Sequence, residues 1–120
     1  MHDEKFATGM VEALLTAIDN KDWDSLAKLL NEDSVYEVHG FPPYTGKKEI
    51  LEYYENIRPI QAGVHTIESI YTGLDSVVCC GVFVGMKKDG SRIDISFADE
   101  LRFHNFKISK RRVYFCNTGN

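Results

Sequence analysis

The chain has 120 residues, of which 43% are apolar, and 14 basic against 18 acidic side chains give it a net charge of −4. This length fits one compact domain over residues 1–120, with a core and one modest pocket. The acidic balance argues against general nucleic-acid binding, and no apolar run approaches the roughly 18 residues of a membrane helix. Since the charged segment Met1–Lys5 precedes no apolar signal core, we expect a cytoplasmic protein.

The cysteines and histidines lack the spacing of a metal site or a disulfide framework. Cys79, Cys80 and Cys116 form no CxxC motif, and the four histidines form neither HxxxH nor HExxH. Free cysteines are common in protein cores. We therefore expect no metal, no cofactor and no disulfide.

The start of the chain is predicted to form two helices. Apolar residues recur at helical spacing from Phe6 to Ile18, and the Asp19–Asp22 segment breaks the pattern. Asp22 suits the N-cap of a short second helix that begins at Trp23. Because so few residues separate the two helices, they are expected to lie close together.

A short strand, a loop and a third helix are predicted next. Ser34–His39 favours a strand, residues 40–46 are rich in Gly and Pro, and a helix follows over about Lys47–Ile57. Tyr53 and Tyr54 are adjacent in this helix, so they cannot share a direction. Tyr54 fits the apolar stripe of the helix, which leaves Tyr53 at an edge or interface.

The remainder of the chain predicts four long strands separated by turn residues. They run over about His65–Thr72, Val77–Met86, Arg92–Phe103 and Lys107–Cys116. The second is apolar on both parities, as expected for a strand covered on both faces, and its Gly81 and Gly85 indicate a bend or bulge. The order of elements predicts an α+β fold, with three N-terminal helices packed on a curved, mostly antiparallel sheet.

Asp99 is the one charged residue on the apolar side of its strand. The strand alternates between apolar and polar side chains, so one face should be buried and the other wet. An unpaired carboxylate on the buried face would cost several kcal/mol or would take up a proton. Two interpretations stay open: Asp99 is an acid or base in a pocket, or it is ion-paired to an interior Arg or Lys.

Three local patterns follow one another along the chain. They are Asp22–Leu26, then Gly40–Gly46 leading into Lys47–Ile50, and finally Asp99–Phe103 before a turn. Their order and spacing resemble the nuclear-transport-factor-2-like superfamily over about residues 5–116, a group that includes ketosteroid isomerases, SnoaL-like polyketide cyclases and limonene epoxide hydrolases. The resemblance implies a cone-shaped fold with an interior pocket for a small, mostly apolar ligand. It also implies a homodimer formed through the outer face of the sheet.

Two carboxylates match the ketosteroid-isomerase pattern. Glu37 stands nine residues before Gly46, and Asp99 directly precedes Glu100-Leu101-Arg102-Phe103. The resemblance implies that Glu37 is the general base and that Asp99 is a protonated acid donating a hydrogen bond to the oxyanion. The chain departs from those isomerases because its first helix has no Tyr, with Leu14 or a neighbour at the position of the second oxyanion donor. Loss of one such donor typically costs about 10²–10³ in rate, so steroid isomerisation is disfavoured.

Further candidates for the pocket lie near these carboxylates. Tyr36 competes with Glu37 for the inward side of the short strand, and His39 is either a second base or a hydrogen-bonding residue of the loop. Strand aromatics on the side of Asp99 would line the cavity. The residues predicted to bind substrate are His39, Phe83, Phe97 and Tyr114.

The leading functional prediction is a cofactor-free isomerase or cyclase that acts on a small apolar carbonyl compound by carboxylate acid–base chemistry. The alternative is a non-catalytic ligand-binding or protein-interaction module of the same fold. A third prediction, an epoxide-hydrolase-like enzyme, requires an Asp-Arg-Asp constellation that holds a water. None of the three involves nucleic acid or a membrane.

Overall fold

A helical layer packs on one face of a six-stranded sheet in this computed structural model, which describes residues 2–116. The helices are α1 (Glu4–Asp19), α2 (Trp23–Leu29) and α3 (Lys47–Glu52), and α3 continues directly into a π-helical turn over Tyr53–Ile57. The strands are β1 (Leu30–Val38), β2 (Tyr44–Thr45), β3 (Ile60–Gly73), β4 (Ser76–Lys87), β5 (Arg92–His104) and β6 (Lys107–Cys116). No helix within residues 2–116 is long and apolar enough to cross a membrane.

The sheet has the strand order β2-β1-β6-β5-β4-β3. Strand β1 runs parallel to β6, and every other neighbouring pair is antiparallel. The predicted α+β fold, with helices on a mostly antiparallel sheet, is therefore confirmed. The two-residue strand β2 lies in the segment predicted to be a loop, where Tyr44 pairs with Tyr36 at the edge of the sheet.

The N-cap predicted for the second helix is present. The Asp22 carboxylate accepts the backbone N–H of Ser25 at 3.1 Å, which satisfies one of the donors left free at a helix start. Asp3 caps α1 in the same way through Phe6. Apolar residues of α1, such as Leu14 and Ile18, are buried in the core between the helices and the sheet.

Strand β4 is buried on one face only, contrary to the prediction of cover on both faces. Val77, Cys79 and Phe83 point into the core, whereas Val84 and Met86 on the opposite face are 37% and 45% exposed. The reason is that the helices cover a single face of the sheet. Apolar residues on both parities therefore give β4 an outer surface that residues 2–116 leave partly exposed.

The sheet is curved by two irregularities in the edge strand β3. One extra residue, Glu68, interrupts the register opposite Gly81 and Cys80, and a second interruption lies between Ile60 and Ala62. A Cβ atom on Gly81 would lie 2.0 Å from the carbonyl oxygen of Thr66, a distance that no side chain tolerates. The glycine thus permits β3 to approach β4 closely where it bends.

Candidate functional site

A cavity of about 560 Å³ lies between the inner face of the sheet, α1 and the π-helical turn. Most of its lining is aromatic or aliphatic and includes Tyr36, Tyr44, Tyr53, Tyr54, Phe83 and Ile95. Its basic side chains are those of Arg58, His65, Lys87 and Arg111. A cavity of this size and composition is typical of sites for small organic ligands.

Asp99 lies behind the wall of this cavity in a bidentate ion pair. Its side chain is 1% exposed, and its two carboxylate oxygens accept Nε and Nη2 of Arg111, each at 2.8 Å. Of the two interpretations left open by the sequence, the geometry matches the ion pair with an interior Arg. Arg111 itself lines the cavity, so Asp99 would affect bound molecules through the position of Arg111.

Arg111 connects this ion pair to two tyrosines. Its Nη1 donates to the Tyr54 hydroxyl, and its guanidinium carbon lies 4.9 Å from the centre of the Tyr36 ring. Burial by itself would lower the pKa of Arg111, but the charge of Asp99 outweighs burial and the pKa lies well above its usual value. Burial also raises the pKa of Tyr36 well above its usual value. The guanidinium is therefore charged, and Tyr36 is a neutral phenol, throughout the physiological pH range.

Glu37 does not share a pocket with Asp99, so that part of the prediction is wrong. In the register between β1 and β6, Tyr36 lies opposite Arg111 and Glu37 lies opposite Arg112. Successive strand residues point to opposite faces, which places Glu37 on the outer face, 3.2 Å from Nε of Arg112. Tyr36, the alternative left open by the sequence, occupies the inward position.

The four residues predicted to bind substrate are divided between the two faces of the sheet. Phe83 lines the cavity. Phe97 also points inward but is 3% exposed and packs behind His65, with ring centres 5.3 Å apart. His39 and Tyr114 contact each other on the outer face, with ring centres 4.9 Å apart. Neither of these two contributes to the cavity.

A His–Asp pair that the sequence did not reveal faces the cavity. Nδ1 of His65 lies 2.6 Å from Oδ1 of Asp19 at the end of α1, and the His65 backbone N–H donates to Oδ2 at 2.8 Å. Within residues 2–116, Nε2 of His65 has no hydrogen-bond partner and is not one of the buried unpartnered atoms, and His65 lines the cavity. An imidazole that donates Nδ1–H to a carboxylate presents a proton acceptor at Nε2. The two residues are 46 positions apart, and only the packing of α1 against β3 brings them together.

The π-helical turn directs both Tyr53 and Tyr54 toward the cavity. An edge or interface position was predicted for Tyr53 on the assumption of α-helical geometry. The wider turn changes the angle between neighbours, and π-helical turns are frequent at functional sites. Burial raises the pKa of Tyr53 to about 12, so its hydroxyl is also a neutral donor.

Similar folds occur among enzymes and among proteins without an assigned activity. An LEH-like epoxide hydrolase from M. tuberculosis has 22% identity and a TM-score of 0.83, covering 93% of this chain and 84% of that chain. A candidate SnoaL-like polyketide cyclase from Jannaschia sp. CCS1 has 11% identity and a TM-score of 0.84, with 93% and 86% covered. An NTF2-like protein of unknown function from Burkholderia pseudomallei K96243 has 13% identity and a TM-score of 0.84, with 92% and 91% covered. At these identities the likeness concerns the fold alone.

Sequence comparison identifies the family more directly. No protein of curated function matches the chain significantly. The profile of the SnoaL-like domain matches residues 11–111, which contain α2, α3, the π-helical turn and β1 to β5 in full. That range includes every basic residue of the cavity and both members of the His65–Asp19 pair. The chain therefore belongs to the SnoaL-like domain family.

Proposed function

We propose that this protein is a cofactor-free enzyme that isomerises or cyclises a small, largely apolar carbonyl compound. The observation that carries the proposal is the presence, in one apolar cavity, of a carboxylate-oriented histidine and an arginine-supported tyrosine. Such a pair can remove a proton next to a carbonyl and stabilise the resulting oxyanion. The proton acceptor is His65, in place of the carboxylate Glu37.

His65 is suited to be the general base because its other nitrogen is fixed. The Asp19 carboxylate holds Nδ1, which orients the ring and stabilises the imidazolium that forms when Nε2 takes up a proton. Positioned general acids and bases contribute typically about 10²–10⁴ in rate. Asp19 is thus a positioning residue, and His65 is the group that would touch the substrate.

Tyr54 is suited to donate to the oxyanion. Nη1 of Arg111 donates to the Tyr54 oxygen, and Tyr36 shares a side-chain hydrogen bond with Tyr54. With Tyr36 as the donor in that bond, the Tyr54 proton is left for a substrate oxygen, and the cationic partner polarises the O–H bond. Asp99 keeps the guanidinium in place through two hydrogen bonds. Tyr54 would then supply the donor that the sequence lacks in the first helix.

The proposed step balances without a cofactor. Nε2 of His65 takes a proton from the carbon next to the carbonyl, and the electron pair of that C–H bond forms an enolate held by the Tyr54 O–H. In an isomerisation, the imidazolium returns the proton to a different carbon. In a cyclisation, the enolate carbon attacks a second carbonyl of the same molecule, and the imidazolium protonates the new alkoxide.

The epoxide-hydrolase alternative receives less support from the geometry. It requires an arginine between two aspartates, and within residues 2–116 Arg111 contacts Asp99 on one side and the Tyr54 hydroxyl on the other. Where that mechanism needs a second carboxylate beside the arginine, this chain has the hydroxyl of Tyr54. The other alternative, a non-catalytic binding module, differs from the enzyme in that it would bind ketones without accelerating proton exchange.

Exchange of carbon-bound protons tests the proposal. We expect the protein to accelerate the loss of the α-proton NMR signals of 2-tetralone or 2-indanone in D₂O over the buffer rate. His65→Gln should lower the acceleration by about 10²-fold or more, because it removes the base. Asp19→Asn should also lower it, since an amide no longer stabilises the imidazolium.

His39→Gln is the matched control, since His39 lies on the outer face of the sheet, and it should retain the full rate. Melting temperatures of all variants identify any loss caused by unfolding. Undiminished exchange in a folded His65→Gln variant would refute the role of His65. Binding of the ketones without any exchange would instead identify a non-catalytic binding module.

A further inference from the structure

Two cations that line the cavity form no ion pair with a carboxylate within residues 2–116. They are Arg58 and Lys87, which both line the cavity and are both partly buried. We infer that these two side chains form a subsite for a carboxylate carried by the substrate, so that the cavity selects anionic over neutral ligands. The inference rests on the proposed function and adds to it the class of substrate.

The charge of the cavity lining differs from the charge of the whole chain. The chain has a net charge of −4, yet none of the cavity-lining residues that the structure describes is an Asp or Glu. Arg111 is neutralised by Asp99, whereas Arg58 and Lys87 form none of the ion pairs found in the same part of the chain. The Asp89 carboxylate acts on Lys87 by charge without forming an ion pair, and Asp89 is exposed to solvent. An unmatched cation in a partly apolar site is unfavourable in the absence of an anion. A ligand carboxylate would supply the missing charge.

Strand pairing brings the backbone segments that carry the two cations close together. Lys87 lies opposite Ile60 in the register between β4 and β3, and the backbone N–H of Lys88 donates to the Pro59 carbonyl at 3.0 Å. Arg58 therefore lies two residues before Ile60, where β3 begins to pair with the end of β4. Lys87 has the same parity as Phe83 and points toward the inner face.

Arg58 is also restricted by aromatic rings. Its guanidinium carbon lies 5.6 Å from the ring centre of Tyr54 and 5.6 Å from that of Phe83. A guanidinium held between two rings keeps its edge available for the two oxygens of a carboxylate. The Phe83 ring in turn lies 4.5 Å from the His65 ring, so the apolar body of such a ligand would extend from the two cations toward the proposed base.

A pair of probes with the same shape and different charge tests the inference. We would titrate the protein with 2-naphthoate and 2-naphthamide and measure both dissociation constants by calorimetry at low ionic strength. The parent protein should bind the naphthoate at least roughly tenfold more tightly, and added salt should reduce the difference. The double variant Arg58→Gln/Lys87→Gln should bind both probes about equally.

Lys88→Gln is the matched control because Lys88 is exposed, adjacent in sequence and outside the cavity lining. It should keep the preference of the parent. Equal binding of the two probes by the parent, no binding of the naphthoate, or a preference that survives the double variant would each overturn the inference. The His65→Gln variant should keep the preference of the parent for the naphthoate. A parent protein that prefers the naphthoate but does not accelerate ketone proton exchange would refute the proposed function alone. Exchange without charge selection would refute this subsite alone.

Discussion

Replacement of Asp99 by Asn should destabilise the protein strongly. The two Asp99 oxygens accept two guanidinium N–H groups at 2.8 Å each, and an Asn side chain would place an NH₂ donor where one of these acceptors stands. Arg111, 7% exposed, would remain as a buried charge without its counter-ion. Breaking a buried pair in this way costs about 3–5 kcal/mol, which for a domain of this size lowers the melting temperature by roughly 10–20 °C.

Urea unfolding followed by tryptophan fluorescence measures this effect. Trp23 is the single tryptophan of the chain, and its ring lies 5.6 Å from that of Tyr54, which contacts Arg111. The double variant Asp99→Leu/Arg111→Met removes both charges and should be close to the parent in stability, because it also avoids the desolvation of two ions. An Asp99→Asn variant as stable as the parent would refute the structural role and favour a destabilising functional acid in its place.

Two other predictions concern the curvature of the sheet and the alkaline pH range. Gly81→Ala should destabilise the fold by about 2–3 kcal/mol or more, since its methyl group would meet the carbonyl oxygen of Thr66 at 2.0 Å. Gly9→Ala in α1, where nothing lies within 4 Å of the new atom, should stabilise it by about 0.5–1 kcal/mol; equal urea midpoints for the two variants would contradict this account. Burial raises the pKa of Cys79 from 9.0 to about 12 and that of Tyr53 from 10.0 to about 12, so the unfolded chain releases these protons first and the free energy of unfolding should fall as pH rises from about 9 toward 12. Cys79→Ala should make that decline less steep between pH 9 and 10, which urea titrations at several pH values would detect, and an unchanged slope would argue against a buried thiol as its cause.

Local chemistry in the sequence predicted the helices, the long strands and the burial of Asp99. The Asp22 cap and the alternation around Asp99 depend on neighbours a few residues apart, and such local patterns can be predicted from the sequence. The partner of Asp99 could not be predicted from the sequence, because Lys110–Arg112 contains three cations. Only the register between β5 and β6 shows that Arg111 is the one that reaches Asp99. The register of β1 similarly decides between Tyr36 and Glu37.

The proposed base was missed for a related reason. His65 and Asp19 belong to no recognised spacing, and their meeting depends on where the end of α1 packs against an edge strand. The prediction of an edge position for Tyr53 depends on α-helical geometry, and the sequence carries no clear signal of a π-helical turn. Both cases concern long-range packing or backbone deviations, which local patterns do not encode.

The bend of β3 separates the shape of the cavity from its chemistry. Curvature requires the absence of side chains at Gly81 and Gly85, where a Cβ atom would lie 2.0 Å and 2.2 Å from backbone oxygens. The groups that would handle a ligand, such as His65 and Arg58, come from other positions and do not create the bend. Substitution of cavity side chains should therefore change the ligand preference while the curved sheet keeps its shape. This small chain is thus a practical scaffold for redesigned binding sites.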